Sequence, residues 1–366
     1  MFRALQRYGW LTIGATAALV LLGIAFIYSA SLSLDNQRQL LVVQGAAAVV
    51  GVAALILNAR LDYRTYRSWA RTLYVVTLVA LVAVLILGQE VRGTHAWFDI
   101  GPIRLQPSEF AKAALVVALA KYFSDHRTEL YRFKHFVISF LYVLIPVGLI
   151  LIEPDLGTAI ILVALWAGYA LTVGMRRWHL LVFTVAFALT ALVGWKFVLK
   201  DYQKERITTF LRPIENCQTI AAYNVCQSYI AIGSGGVTGR GFGQGTQSQL
   251  NFLPEKHTDF IFAVIAEELG FVGVTVTLGI IGLLVYAIFR TSQQAADNFG
   301  LFVALGVGLL ILIQTVVNLG ANLGVLPVTG VTLPLVSYGG SSLVATLAML
   351  GLVLSVRARH KKQTFA

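Results

Sequence analysis

Apolar runs of about 20 residues recur along this chain, near positions 10–30, 40–58, 70–88, 107–123, 136–152, 156–175, 178–199, 260–289, 300–321 and 333–356. About 20 apolar residues in a helix cross the ~30 Å hydrocarbon core of a bilayer. The pattern predicts an all-α, polytopic integral membrane protein of about ten transmembrane helices, with residues 1–366 as a single integral membrane domain. The seventh and eighth runs are joined by one long outer loop, roughly 200–258, and the other loops are short. Only Glu153-Pro154-Asp155 separates the fifth run from the sixth, so that junction is either a tight turn or a break in one longer segment. The first run, Trp10 to Ala30, is long enough to span, and no small-residue cleavage site follows it. It reads as a retained span and not as a cleaved signal.

Composition agrees. Hydrophobic residues make up 57% of the chain and charged residues 12%, against roughly 25% charged in a soluble domain. The net charge of +11 does not point to nucleic acid, because the basic residues sit in short loops and form no stripe on a soluble face. Their distribution reads instead as topology. With the N terminus inside, the inner loops collect Arg3, Arg7, Arg60, Arg64, Arg67, Arg71, Lys121, Arg127, Arg132 and Lys134, while the short outer loops carry only Arg38, Arg92 and Arg104. The positive-inside rule then places both termini in the cytoplasm and the 200–258 loop outside the inner membrane.

A long loop without a domain of its own is usually functional. This one holds Arg206, Arg212, a glycine-rich stretch from Gly233 to Gly245, and Leu253-Pro-Glu-Lys-His-Thr-Asp-Phe260. The glycine stretch matches neither a Walker A loop nor a dinucleotide turn. We read most of these glycines as a flexible, tightly turning segment; the sharper alternative is a backbone that closely approaches a phosphate or sugar. Asp259 falls at the predicted start of the eighth span, behind Lys256, His257 and Thr258. It is either a helix cap or a functional carboxylate at a helix end that can also hold phosphate. Cys217 and Cys226 share the same loop, and both a disulfide and two unpaired thiols fit that placement.

Ionisable residues within spans are costly and line cavities or pair with one another. Glu109 and Lys112, three apart at the start of the fourth span, share a helix face. They form either a structural ion pair or a polar cavity wall. Glu267 and Glu268 lie inside the eighth run and need partners that the sequence does not identify. Prolines in Pro327-Val-Thr-Gly330 and in Pro334 through Ser342 predict a broken segment buried in protein.

Five segments, in order along the chain, carry a resemblance: Trp97 through Lys112, Glu153-Pro-Asp-Leu-Gly-Thr158, Gln227 through Gly236, Leu253 through Phe260 with Glu267-Glu-Leu-Gly270, and Leu326-Pro-Val-Thr-Gly330 with Leu333 through Ser342. They resemble the signatures of the SEDS family (shape, elongation, division and sporulation), and the pattern is most similar to its RodA-type elongation branch. The resemblance implies a peptidoglycan glycosyltransferase that polymerises lipid II into glycan strands on the outer face of the membrane and releases undecaprenyl pyrophosphate. It assigns the essential outer-loop aspartate to Asp259 and polar-cavity residues to Glu109 and Lys112. Arg206, Arg212, Lys256, His257, Thr258, Ser341 and Ser342 complete the candidate substrate-binding set. It implies a class B penicillin-binding protein as partner, beside membrane lipid, and no nucleic acid. No cofactor is required; Asp259 could act as a general base or hold a divalent cation, Mg²⁺ or Mn²⁺, near the pyrophosphate.

The rival function is a lipid II flippase or other transporter, since polar residues in spans and broken helices suit transport too. No inverted internal repeat is evident, which disfavours it. A scaffold that only recruits the penicillin-binding protein is a third reading, and it leaves Asp259 dispensable. Topology is directly testable. Cysteines introduced in the 200–258 loop should react with a membrane-impermeant thiol reagent from outside, and those in 121–135 only from inside. Labelling of the long loop solely from the cytoplasmic side refutes this orientation.

Overall fold

The structure is a computed structural model and describes residues 9–91, 94–100, 103–174, 178, 181, 185, 217 and 220–359. The helices are α1 (Trp10–Ser31), α2 (Gln37–Arg60), α3 (Tyr63–Leu87), α4 (Pro107–Asp125), α5 (Phe133–Ile152), α6 (Leu156–Thr172), α7 (Ile220–Gly235), α8 (Thr246–Gln249), α9 (Ile261–Gln293), α10 (Asn298–Asn322) and α11 (Gly340–Ala358). Nine of the ten apolar runs coincide with one of these helices. The seventh run, 178–199, lies almost wholly outside the described residues. Among the described residues, seven helices are long and apolar enough to cross a membrane. Of the other two, α6 is shorter, and α4 carries Glu109, Lys112 and Lys121 yet is buried along most of its length. The fold is that of a multi-pass membrane protein.

Local chemistry sets the helix starts. Asp62, Asp155 and Asp297 cap α3, α6 and α10 by accepting hydrogen bonds from the backbone N–H of Arg64, Thr158 and Gly300. Pro107 occupies the first turn of α4, where its missing N–H costs nothing. Glu153-Pro154-Asp155 forms a tight turn, and α5 and α6 pack against each other. Helices α10 and α11 are mostly buried, whereas α2 and α3 expose rows of Val, Ile and Leu. Where α2 and α11 cross, their backbones approach closely: a Cβ at Gly351 would lie 2.4 Å from the Leu55 carbonyl oxygen, and one at Gly51 would lie 2.5 Å from Leu347 Cδ1.

Two features depart from the sequence reading. The segment between the third and fourth spans is not a plain loop. It holds a small antiparallel sheet of β1 (Gln89–Val91), β2 (Thr94–Ile100) and β3 (Ile103–Leu105), ordered β1-β2-β3, with Asp99 opposite Arg104. These strands are too short for their alternation to stand out beside 20-residue apolar runs. The long loop also contains α7, which packs against α9 and α10. Cys217 and Cys226, at the start of α7, form a disulfide.

The glycine stretch is not a flexible surface segment. Helix α9 breaks at Gly270, whose φ of 64° lies in the left-handed region. The backbone of 236–241 fills the break: Arg240 and Gly241 N–H donate to the Glu267 and Glu268 carbonyls, and Phe271 and Val272 N–H donate to the Gly236 and Val237 carbonyls. So close an approach excludes side chains. A Cβ at Gly235 would sit 1.9 Å from the Ala266 carbonyl oxygen, and one at Gly239 would sit 2.1 Å from that of Glu268. The glycines do permit a close backbone approach, but to the chain's own backbone.

The partners of the two intramembrane glutamates are now plain. Glu267 accepts from the N–H of Gln247 at 2.8 Å and Ser248 at 3.2 Å, and from Thr246 Oγ1 at 3.3 Å. Ser29 Oγ of α1 lies 2.5 and 2.7 Å from the two carboxylate oxygens of Glu268. Both glutamates are fully buried. They tie the loop to α9 and α1.

This packing makes a prediction that isolates steric fit from helix propensity. Gly233 and Gly235 share α7, but a Cβ at Gly233 would meet nothing within 4 Å. Gly233→Ala should be neutral or slightly stabilising. Gly235→Ala should cost at least about 1–3 kcal/mol by overpacking. Thermal unfolding of the detergent-purified variants measures both, and equal midpoints would contradict the close packing.

Candidate active site

A cavity of about 900 Å³ opens at the end of the bundle that carries the hairpin and the 236–260 segment. One wall is apolar and comes from α2, with Leu40, Val43, Ala46, Ala47 and Val50. The opposite side is polar. It gathers Arg104 of β3, Glu109 and Lys112 of α4, Asp155 before α6, His257 through Asp259 before α9, and Ser341 and Ser342 at the start of α11. Most of the sequence-nominated residues thus line one space, although they lie up to 233 positions apart.

Asp259 does not cap α9. The helix begins at Ile261, its N-cap residue is Phe260, and no side chain caps it. The cap alternative is therefore set aside for a geometric reason: Phe260 stands between Asp259 and the helix and occupies the N-cap position. In the turn that precedes Asp259, Thr258 Oγ1 donates to the Glu255 carbonyl at 3.1 Å. The His257 ring packs edge-on against Tyr338 at 5.4 Å.

Lys112 Nζ donates to Glu109 at 2.8 Å, and both residues are buried while lining the cavity. The ion-pair and cavity-wall alternatives therefore describe the same two residues. Beside them, Asp155 accepts from the Thr158 backbone N–H at 2.9 Å, from Thr158 Oγ1 at 2.8 Å and from Gln106 Nε2 at 3.4 Å. Burial pushes the Asp155 carboxyl up, against the hydrogen bonds from Thr158 and the positive charge of Lys112. Its neighbour Glu153 is fully buried, and neither of its carboxylate oxygens has a hydrogen-bond partner among the described residues. Burial, with the nearby charge of Asp155, pushes that carboxyl up to about 8.

Other nominated residues are placed differently. Lys256 does not line the cavity. Its ammonium is buried and donates to Ser33 Oγ and Asn251 Oδ1, each at 2.7 Å, and to the Ser248 carbonyl. Burial pushes its ammonium down to about 8, with Glu268 opposing that shift. It holds the loop together. Ser341 lines the cavity, but its hydroxyl is engaged: it accepts from Gln106 N–H at 3.1 Å and donates to the Arg104 carbonyl at 3.0 Å. It thereby fastens the hairpin and the start of α4 to α11. Ser342 Oγ lies 3.2 Å from Thr332 Oγ1. Arg206 and Arg212 lie outside the described residues.

Sequence reasoning did not nominate Trp97, Asp99, Arg104, Asp155 or Tyr338, all of which line the cavity. Asp99 and Arg104 form an ion pair at 3.3 Å across the β2–β3 pairing. The signal for Asp155 was present, since an Asp three residues before Thr158 at a span start is a capping pattern. What a cap faces is set by packing. Among the described residues no cluster of three His, Cys, Asp or Glu side chains could hold a metal ion.

An apolar wall from α2 and a charged opposite end give the cavity of this multi-pass membrane protein an amphiphilic lining. The chain belongs to the FtsW/RodA/SpoVE family, described as "Cell cycle protein", which it matches over residues 10–362. The peptidoglycan glycosyltransferase MrdB of Escherichia coli (strain K12) is 40% identical over 313 residues, covering 85% of this chain and 84% of that protein. Stage V sporulation protein E of Bacillus subtilis (strain 168) is 37% identical over 355 residues, covering 93% and 94%. Among solved structures, a chain of a peptidoglycan synthase complex that coordinates polymerization and crosslinking superimposes with a TM-score of 0.82 at 37% identity, covering 96% of this chain and 97% of that one. The rod shape determining protein RodA of Thermus thermophilus gives 0.73 at 35% identity, covering 97% and 98%.

The buried Glu109–Lys112 pair yields a prediction. Removing one partner leaves an uncompensated buried charge, at a cost of about 3–5 kcal/mol. Glu109→Ala and Lys112→Ala should each lower folded yield or activity sharply, and the exchange Glu109→Lys with Lys112→Glu should recover part of it. Full yield and activity in both single variants would show that neither residue matters to fold or site.

Proposed function

We propose that this protein is a peptidoglycan glycosyltransferase that joins lipid II units into glycan strands during cell elongation, at the outer face of the cytoplasmic membrane. The observation that carries this reading is the single cavity with Asp259, Lys112 and Arg104 at its polar end and the apolar face of α2 along its wall. A diphosphate-linked sugar on a polyprenyl chain has the same division: a charged head and a long apolar tail. The Lys and Arg bias of the short loops supports an orientation with the 200–258 loop outside and both termini in the cytoplasm.

In this reading Asp259 accepts the proton of the acceptor sugar's attacking hydroxyl. The new C–O bond forms at the donor's anomeric carbon as the bond from that carbon to the diphosphate oxygen breaks. The electron pair leaves with undecaprenyl pyrophosphate. Lys112 and Arg104 offset its negative charge, and Glu109 holds Lys112 in place. A leaving diphosphate needs no proton from a second carboxylic acid, unlike the sugar leaving group of a hydrolase. A carboxylate is a weak base in water, and desolvation strengthens it. A lipid-linked substrate that fills the cavity would displace that water. His257, Thr258 and Ser342 line the space the head group would occupy, and Arg206 and Arg212 remain candidates for the diphosphates. The likeness to a chain of a peptidoglycan synthase complex supports a class B penicillin-binding protein as partner.

The test is Asp259→Asn assayed on labelled lipid II. Asn keeps the shape but cannot take a proton at neutral pH. The variant should be folded and membrane-inserted, with glycan synthesis reduced roughly a hundredfold or more. Substantial polymerisation by this variant would move the catalytic assignment to another residue. A transporter would instead carry lipid II across vesicles and leave glycan synthesis absent in the unsubstituted protein as well.

A further inference from the structure

Two asparagines near the end of α10 face away from every task described so far. Asn318 and Asn322 are buried, 1% and 0% exposed, and neither lines the cavity. They are four residues apart and so share one helix face. Both side-chain amides converge on a single atom: Asn318 Nδ2 and Asn322 Nδ2 each donate to the Asp259 carbonyl oxygen at 2.9 Å. Buried amides in a membrane-spanning helix are expensive unless bonded. Here they spend their donors on the backbone of the residue to which the chemistry is assigned.

The convergence answers a specific need. The first carbonyl engaged by α9 is that of Phe260, which accepts from Ala263 and Val264 N–H. Phe260 is the N-cap residue and no side chain caps the helix, so Asp259 lies before the regular geometry of α9. The asparagines hold its carbonyl from one side. From the other side the broken segment before α11 holds the two preceding carbonyls: Tyr338 N–H donates to His257 at 2.8 Å, and Ser337 Oγ donates to Thr258 at 2.6 Å. Asn318 Nδ2 also donates to the Val331 carbonyl at 2.8 Å. It thus links the Asp259 backbone to the strand of chain bearing Gly330, where a Cβ would lie 4.0 Å from Asp259 Oδ2.

We propose that Asn318 and Asn322, with Ser337, are positioning residues that aim the Asp259 carboxylate into the cavity. The inference rests on the reading of Asp259 given under Proposed function. The asparagines touch no substrate. They act on the peptide plane that follows Asp259, and hence on the direction of its Cα–Cβ bond. Misplacement of a reacting group by about 1 Å can cost on the order of a hundredfold in rate. An effect of this kind appears in kcat, while the walls that bind the lipid and its head group are untouched.

The experiment uses the full-length protein in nanodiscs with labelled lipid II. The variants are Asn318→Leu, Asn322→Leu, their combination, and Ser337→Ala, with Asp259→Asn as reference. Leucine keeps the γ-branched, four-heavy-atom side chain of asparagine with bulkier ends, and it carries no amide of its own to leave unbonded. Each single variant should lower kcat about tenfold or more, and the double variant should approach Asp259→Asn, while the lipid II dissociation constant changes less than about threefold. A purely structural role predicts the reverse: lower folded yield and thermal midpoint, with kcat per folded molecule unchanged, and that result overturns the proposal. So does full activity in the asparagine variants when Asp259→Asn is inactive. If Asp259→Asn is active, the assignment of Asp259 itself falls, whatever the asparagine variants do. If the double variant does not fold, Ser337→Ala decides. It releases the Thr258 carbonyl without altering α10, and unchanged kcat in that variant also counts against the proposal.

Discussion

Inside a bilayer a backbone N–H or C=O that leaves its helix has no water to bond with, so an interrupted span requires another piece of chain to replace the lost partners. The break of α9 at Gly270 imposes that requirement here. It is met by the backbone of 236–241, whose N–H and C=O groups pair with residues 267–272. Only glycine tolerates the approach at 235, 239 and 270. Once the loop is seated, Glu267 and Glu268 find their donors in Thr246, Gln247, Ser248 and Ser29, and Lys256 finds Ser33, Ser248 and Asn251. The loop then delivers His257, Thr258 and Asp259 to the cavity. Helix break, loop and site form one connected hydrogen-bonded unit.

The charged residues divide into two populations by what they face. Glu267, Glu268 and Lys256 are buried among donors and acceptors of the chain itself and lie off the cavity. Glu109, Lys112 and Asp155 are equally drawn into the interior but present part of their surface to the cavity. Buried charges of the first kind hold structure. The Glu109–Lys112 pair, of the second kind, also leaves a cation at the cavity wall. Ser341 shows the same division at the level of a single hydroxyl. It touches the cavity, yet its hydrogen-bonding capacity joins the hairpin and α4 to α11.

The proline-containing segment between α10 and α11 works the same way. Its residues Leu333, Leu335 and Val336 are buried, as a non-helical stretch at membrane depth must be. Its backbone and hydroxyl groups then hold other irregular chain, namely the carbonyls of His257 and Thr258. Two irregular segments from distant parts of the sequence satisfy one another. Helix α2, bonded to this segment through Gln44, completes the enclosure with its apolar face.

The sequence by itself determined the spans, because about 20 apolar residues in water-free surroundings have one economical conformation, and each such run acts independently of the others. It also marked one irregular region, through Pro327 and Pro334; it nominated Glu109 and Lys112, because charge at membrane depth stands out in any linear reading, and Asp259 by its place at the start of the eighth run. It did not show that Lys256 faces the loop interior while Asp155 and Arg104 face the cavity. A lysine and an aspartate in short polar segments look alike until packing decides which side each presents. The small sheet and α7 were invisible for a related reason: the sheet packs on α3 and α11 and α7 packs on α9 and α10, and neither shows a local period. The asparagines at 318 and 322 read only as small polar residues in a span. That both donate to one carbonyl 59 and 63 residues away was decided by tertiary structure alone, since a hydrogen bond depends on the meeting of two directions in space and a sequence records neither.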